Sequence, residues 1–215
     1  MNTISSSSSL TKSKIRFPDT KKEIESILRN ATRLLGVVND FMDVQNLETK
    51  RVFLTLEPID IVNVLEETVA DLSELAAEKN IFLTLRKPSV VIPPLNLDKS
   101  RLQQIYVNLI GNAIHYTEQG GVTIFADNQD NAVKIVFQDT GIGMDPEDQK
   151  RLFKKFATGK VFLHSKEYGS GLGLYISKLL TNMMGGALKL ERSGVGAGSV
   201  FSLTFPLTLQ SVPRK

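Results

Sequence analysis

Asp139-Thr140-Gly141-Ile142-Gly143-Met144 follows Val133-Lys134-Ile135-Val136-Phe137, an apolar alternation that reads as a half-buried strand. An acid at the end of a strand, followed by two glycines one residue apart, suits recognition of a nucleobase. The carboxylate can accept from an exocyclic amine, and glycine lets backbone approach where a Cβ would clash. Alone, the same six residues also describe an ordinary strand-to-turn transition. The neighbouring segments decide between the two readings.

Upstream, Asp98 caps a helix from Lys99 to about Tyr116, with Leu102, Ile105, Leu109 and Ala113 on its apolar face. Asn108, Asn112 and His115 form a separate polar stripe at i, i+4 and i+7. Asparagine is a poor interior helix former, so two on one face cost more than a solvated surface requires. Gly120-Gly121 then turns into a strand, Val122–Ala126, and Ala132–Phe137 returns antiparallel after the polar turn Asn128–Asn131.

Downstream, Asp145-Pro146 with Glu147 and Asp148 starts a short helix ending near Phe153. Lys154–Tyr168 is polar, basic and without period, and reads as a mobile loop. Gly169-Ser170-Gly171-Leu172-Gly173-Leu174 opens a helix to about Met184. Backbone amides at such a start, near loop lysines, favour anions such as phosphate. Ala187–Glu191 and Val200–Pro206 form a final hairpin, and the tail from Gln210 is expected to fray.

The front of the chain is different. Met1–Pro18 contains five consecutive serines, Ser5–Ser9, and has too little apolar surface to order itself. From Asp19 or Thr20 to about Glu48, Ile24, Ile27, Ala31, Leu34, Val38 and Phe41 recur at spacings of three and four, the seam of a helical bundle. Arg51–Leu56 alternates as a strand that Glu57-Pro58 ends. Asp60 caps a helix to about Lys79, and Ile81–Arg86 is a further strand. Pro88, Pro93 and Pro94 leave Val90–Leu97 at most an edge strand.

Composition removes several classes of function. The 215 residues contain no Cys, which excludes thiol catalysis and Cys-based zinc sites. The net charge of +3, from 26 basic and 23 acidic residues, is too balanced to argue for nucleic acid. No apolar run approaches the ~20 residues of a membrane span, and the polar, serine-rich start does not resemble a secretory signal.

Five of these elements, in this order, resemble the ATP-binding catalytic domain of sensor histidine kinases. That domain belongs to the superfamily shared with gyrase, the heat-shock chaperone of the same fold and mismatch-repair ATPases. Asn108–Thr117 is similar to the family's asparagine box, Asp139–Met144 to its first glycine box and Leu152-Phe153-Lys154-Lys155-Phe156 to its phenylalanine box. Gly169–Leu174 resembles the second glycine box, and Gly196–Phe201 the closing glycine–threonine element with Ser199 in the threonine's place.

The resemblance implies an α+β fold, a two-layer α/β sandwich of the GHKL (Bergerat) type. In it a mixed sheet carries helices on one face, here preceded by a long bundle-type helix. The implied division is 1–18 as linker, 19–50 as part of a dimerisation helix and 51–209 as the ATP-binding domain. The implied cofactors are ATP and Mg²⁺. Asp139 would accept from the adenine amine, Gly141 and Gly143 would shape the base pocket, and Tyr116 would pack on the ring. Asn112, helped by Asn108, would offer oxygen to Mg²⁺. Lys154–Tyr168 would be the ATP lid, and Gly169, Gly171, Leu172 and Gly173 would bring amides to the phosphates.

The departures also carry expectations. His115 stands where the family usually has Lys or Arg, and a mostly neutral imidazole is a poorer phosphate partner. Thr158 stands where a lid arginine is common, so Lys160 or Lys166 would substitute and γ-phosphate contact would weaken. Asp19–Arg51 looks like the second helix of the family's phosphoacceptor hairpin, and the first, with its histidine, is not in this sequence. His115 and His164 lie in the asparagine box and the lid. The expectation is Mg-ATP binding without self-phosphorylation on histidine. The partners would be ATP/ADP, a response regulator or phosphoacceptor-helix protein and, through the 24–41 helix, a weak homodimer. The location would be cytoplasmic, either as a free protein or as the cytoplasmic part of a membrane-bound sensor.

Three other readings compete. One is a nucleotide-binding regulatory module without kinase activity. An anti-sigma-type serine kinase shares the boxes but not the long seam helix. Asp139-Thr140-Gly141 also matches an aspartic-protease loop, which would need a second copy in a homodimer and a β-rich fold.

Overall fold

The computed structural model describes residues 20–49, 51–88, 90–129, 131–157 and 170–207. The expected linker 1–18, most of the expected lid, Lys160, Gly169 and the tail from Gln210 lie outside them. Contacts divide the chain into two units, Met1–Gly36 and Val37–Lys215. The first consists, in its described part, of the start of helix α1 (Thr20–Glu48). Ile24, Ile27 and Leu34 of the seam read from the sequence are exposed there, as are Leu28 and Leu35 beside it.

In the second unit the last turns of α1 are followed by β1 (Glu57–Ile59), α2 (Ile61–Glu78), β2 (Phe82–Arg86), β3 (Leu95–Leu97) and α3 (Lys99–His115). Then come β4 (Gly121–Gln129), β5 (Ala132–Asp139), α4 (Pro146–Arg151), α5 (Gly173–Met183), β6 (Ala187–Ser193) and β7 (Ser199–Pro206). A five-stranded sheet runs in the order β2-β4-β5-β7-β6. β2 and β4 are parallel and the other pairs antiparallel, so the sheet is mixed as expected.

Register decides which side carries the core. Val133, Ile135 and Phe137 of β5 stand opposite Phe205, Leu203 and Phe201 of β7, and this apolar row faces the helices. Leu102, Ile105, Leu109, Ile110 and Ile114 of α3 are buried against it, as are Leu65 of α2 and Ile176 and Leu180 of α5. Each such side chain contributes about 1.5–3 kcal/mol by leaving water. Val44 and Leu47 of α1 join the same core. The C-terminal end of α1 is therefore built into this unit.

The caps follow the sequence. Asp60 accepts from Val62 and Asn63, Asp98 from Arg101, and Asp145 from Glu147 and Asp148. One expected strand is absent. Residues 51–56 are irregular, and the strand lies one step later at Glu57–Ile59, paired with Leu95–Leu97 in a separate two-stranded sheet. The alternation of Val52 and Leu54 reflects one-sided packing on the core, with no partner strand alongside. Thr55 instead gives its amide to the Asp98 carboxylate at 2.9 Å. No helix among the described residues is long and apolar enough to cross a membrane.

Candidate functional site

A cavity of about 200 Å³ opens between α3, the loop after β5, α4 and the start of α5. Asp139, Asn108, Asn112, Tyr116, Gly143, Gly171, Gly173 and Ser199 all line it, from four separate sequence segments. Gly141 and Leu172 do not reach its wall. His115 does not reach it either. The cavity faces Asn112, Ala113 and Tyr116, and that rotation of the helix turns His115 aside. Its ring instead meets Tyr116 edge-on, with centroids 4.8 Å apart.

The end around Asp139 is made of backbone. Asp139 is only 7% exposed, and its Oδ1 accepts from the amides of Gly141 (2.8 Å) and Ser199 (3.1 Å). Burial pushes its pKa above the ordinary aspartate value, against the pull of those two amides. Ile142 donates to the Tyr116 carbonyl, Gly196 to Ile142 and Gly198 to Gly141, which stitches the loop to α3 and to the β6–β7 turn. Gly143 has φ +65°, and a Cβ there would sit 1.8 Å from the Gly194 carbonyl oxygen. No other residue fits. Ser193 adds a hub: its hydroxyl accepts from the Met144 amide and donates to the Gly198 carbonyl, 3.0 Å from the Ser199 hydroxyl.

The other end is made of helices and side chains. Asn108 Nδ2 donates to Ser177 Oγ at 2.7 Å, and Asn112 Nδ2 points at Asn108 Oδ1 at 3.5 Å. Gly173 lies so close that a Cβ would meet Asn108 Oδ1 at 2.3 Å, which explains a glycine at the first position of α5. Leu172 has a core side chain, 1% exposed, and its amide donates to Ser170 Oγ at 3.1 Å. It is a packing residue here.

Several wall residues had no signal in the sequence. Asp40 comes from α1, over sixty residues before the nearest of the motifs, on a helix read only for its apolar seam. It accepts from Ser170 Oγ at 2.5 Å. Asp148 and Arg151 belong to α4, where the acid was legible only as a helix-start signal. They form a 3.0 Å ion pair in the wall. Glu48, at the end of the same helix as Asp40, takes Lys155 Nζ and the Tyr175 hydroxyl, each at 2.6 Å, and Lys155 first and Tyr175 second hold its carboxyl below the usual range.

The comparisons agree with this geometry. The family described as histidine kinase-, DNA gyrase B-, and HSP90-like ATPase matches residues 97–209. The signal transduction histidine-protein kinase BarA of Escherichia coli K12 is 35% identical over 189 residues, covering 86% of this chain and 20% of BarA. An uncharacterized sensor-like histidine kinase of Rhizobium meliloti is 36% identical, covering 87% of this chain and 36% of that protein. The chain thus spans a fifth to a third or so of these relatives. Among solved structures, full-length ShkA in complex with AMPPNP superposes with a TM-score of 0.74 at 31% identity, over 86% of this chain and 38% of ShkA. With the matched segment carrying α3, both glycine-rich loops and the cavity they enclose, the chain belongs to the histidine kinase-, DNA gyrase B-, and HSP90-like ATPase family.

Proposed function

We propose that the cavity binds Mg-ATP and that the chain is the ATP-binding catalytic portion of a two-component sensor histidine kinase, passing the γ-phosphoryl group to a histidine outside this sequence. The observation that carries the reading is the convergence of Asp139, Tyr116 and the Asn108/Asn112 pair on one cavity. Oδ1 of Asp139 is taken by two amides, which leaves Oδ2 to accept from an adenine amine. Tyr116 supplies a ring beside it. Ser199 fixes the acid through its amide, so the exchange of threonine for serine costs nothing at that contact.

Mg²⁺ fits the other end. Asn112 directs its nitrogen to Asn108, which keeps its carbonyl oxygen for a hard cation, and Asn108 is held in turn by Ser177. Asn112 is then the ligand and Asn108 its positioning neighbour. When bound, the ion would screen the phosphate charges during transfer. Backbone at Gly171 and Gly173 faces the same end. His115 lies off the wall, so we assign it no phosphate contact.

The remaining parts of the reading rest on the family. The 19–50 helix corresponds to part of a dimerisation domain, and its exposed apolar row would take another helix. A response regulator or phosphoacceptor-helix protein is the expected partner, in the cytoplasm, where ATP is supplied. Incubation with γ-labelled ATP, Mg²⁺ and an added histidine-bearing hairpin protein tests the transfer. Acid-labile, alkali-stable label on the hairpin and none on this chain is the expected result. Nucleotide binding with no label on any hairpin tried would instead favour a regulatory module.

A further inference from the structure

Asp40 stands in the nucleotide cavity and belongs to none of the nucleotide motifs. We propose that it is a specificity-determining residue whose carboxylate penalises the triphosphate more than the diphosphate; this rests on the reading of the cavity as an ATP site. Its carboxylate shares the wall with Asn108, Asn112, Gly171 and Gly173, the end assigned to phosphate. It accepts from Ser170 Oγ at 2.5 Å. Ser170 Oγ accepts in turn from the Leu172 amide. Asp40 therefore sits, through one hydroxyl, on the glycine-rich backbone where an incoming anion would be received.

The segment that carries it is anchored. Val44 and Leu47 are buried in the core, and Asp43 meets Gln104 Nε2 at 2.8 Å and Arg101 at 3.5 Å. One turn further on, Glu48 holds Lys155 and Tyr175. Asp40 cannot leave the wall by movement of α1 without breaking these contacts. Among the described residues the charge in the wall does not offset it. Among the described wall residues Asp40, Asp139 and Asp148 are acidic and Arg151 is basic, with Arg151 paired to Asp148. A polyphosphate entering here meets a like charge in a partly dry cleft, where Coulomb interactions are stronger than in bulk water. The γ-phosphate adds the charge that a diphosphate lacks.

The test is calorimetric titration of the full 215-residue chain and of Asp40→Asn with Mg-ATP and with Mg-ADP. The variant should bind Mg-ATP about three- to tenfold more tightly and Mg-ADP less than twofold more tightly. Raising the salt should increase the ATP-to-ADP affinity ratio of the parent chain, because the repulsion is screened, and should leave that of the variant flat. Equal shifts for both nucleotides would mean that Asp40 only packs, and weaker Mg-ATP binding would make it a metal or positioning ligand. Either result overturns the inference while the ATP reading stands. Absence of nucleotide binding by both proteins would overturn the ATP reading, and this inference with it.

Discussion

The two ends of the cavity are both glycine-rich, yet they are built from different materials. Around Asp139 the donors are backbone amides, and the loop is tied to α3 and the β6–β7 turn by main-chain bonds at 2.7–3.1 Å. Around Asn112 the contacts are side chain to side chain, across helices that approach closely where Gly173 has no Cβ. The end around Asp139 is thus tied by main-chain bonds and the end around Asn112 by side-chain bonds between helices. A base is the same in ATP and ADP, and the phosphates are not.

That contrast can be broken at specific positions. Gly143→Ala should have the largest effect, because it forces a left-handed backbone on alanine and drives a Cβ into a carbonyl. Thermal unfolding should show a loss of about 2–4 kcal/mol, with nucleotide binding gone. Asn112→Ala should next weaken Mg-ATP about tenfold while adenosine binding stays within twofold, since it would remove the proposed metal oxygen and leave the end around Asp139 intact. If adenosine weakened equally, the division into two ends would be wrong.

Acidification sharpens the comparison. With the Asp139 pKa raised by burial, its carboxylate should begin to protonate above the ordinary aspartate range, and adenosine binding should fall there. The stability effect has the opposite sign. A raised folded pKa means that Asp139 favours folding when protonated, and that contribution is lost as pH rises from the unfolded value through the folded one. Asp139→Asn at neutral pH should therefore keep or raise the melting temperature, with its side-chain oxygen still accepting from Gly141 and Ser199. Ser177→Ala should have the smallest effect. It removes the bond to Asn108, costing about 1 kcal/mol of stability and a few-fold in Mg-ATP affinity.

The sequence carried most of the base end and less of the phosphate end, for a physical reason. Asp139, Gly143 and Tyr116 lie in motifs that can be recognised once the neighbouring segments are read with them. Asp40 reaches the wall only because a helix brings it there, far from any motif, whereas Arg151 stands just before Leu152–Phe156 but gives no local sign of the ion pair it makes in the wall. His115 shows the reverse error: the helical stripe placed it beside Asn112, but the cavity opens on the Ala113 side. Residues 51–56 mislead similarly, because alternation reports a one-sided environment and a strand also needs a partner.

The central claim is that one acid recognises a purine next to a metal-binding asparagine. Calorimetric titration of Mg-ATP into the parent chain and into Asp139→Asn, with melting curves for both, tests it most directly. The account predicts a saturable heat for the parent, an affinity lower by roughly thirtyfold or more in the variant, and an undiminished melting temperature. Equal affinity in the two proteins would contradict it.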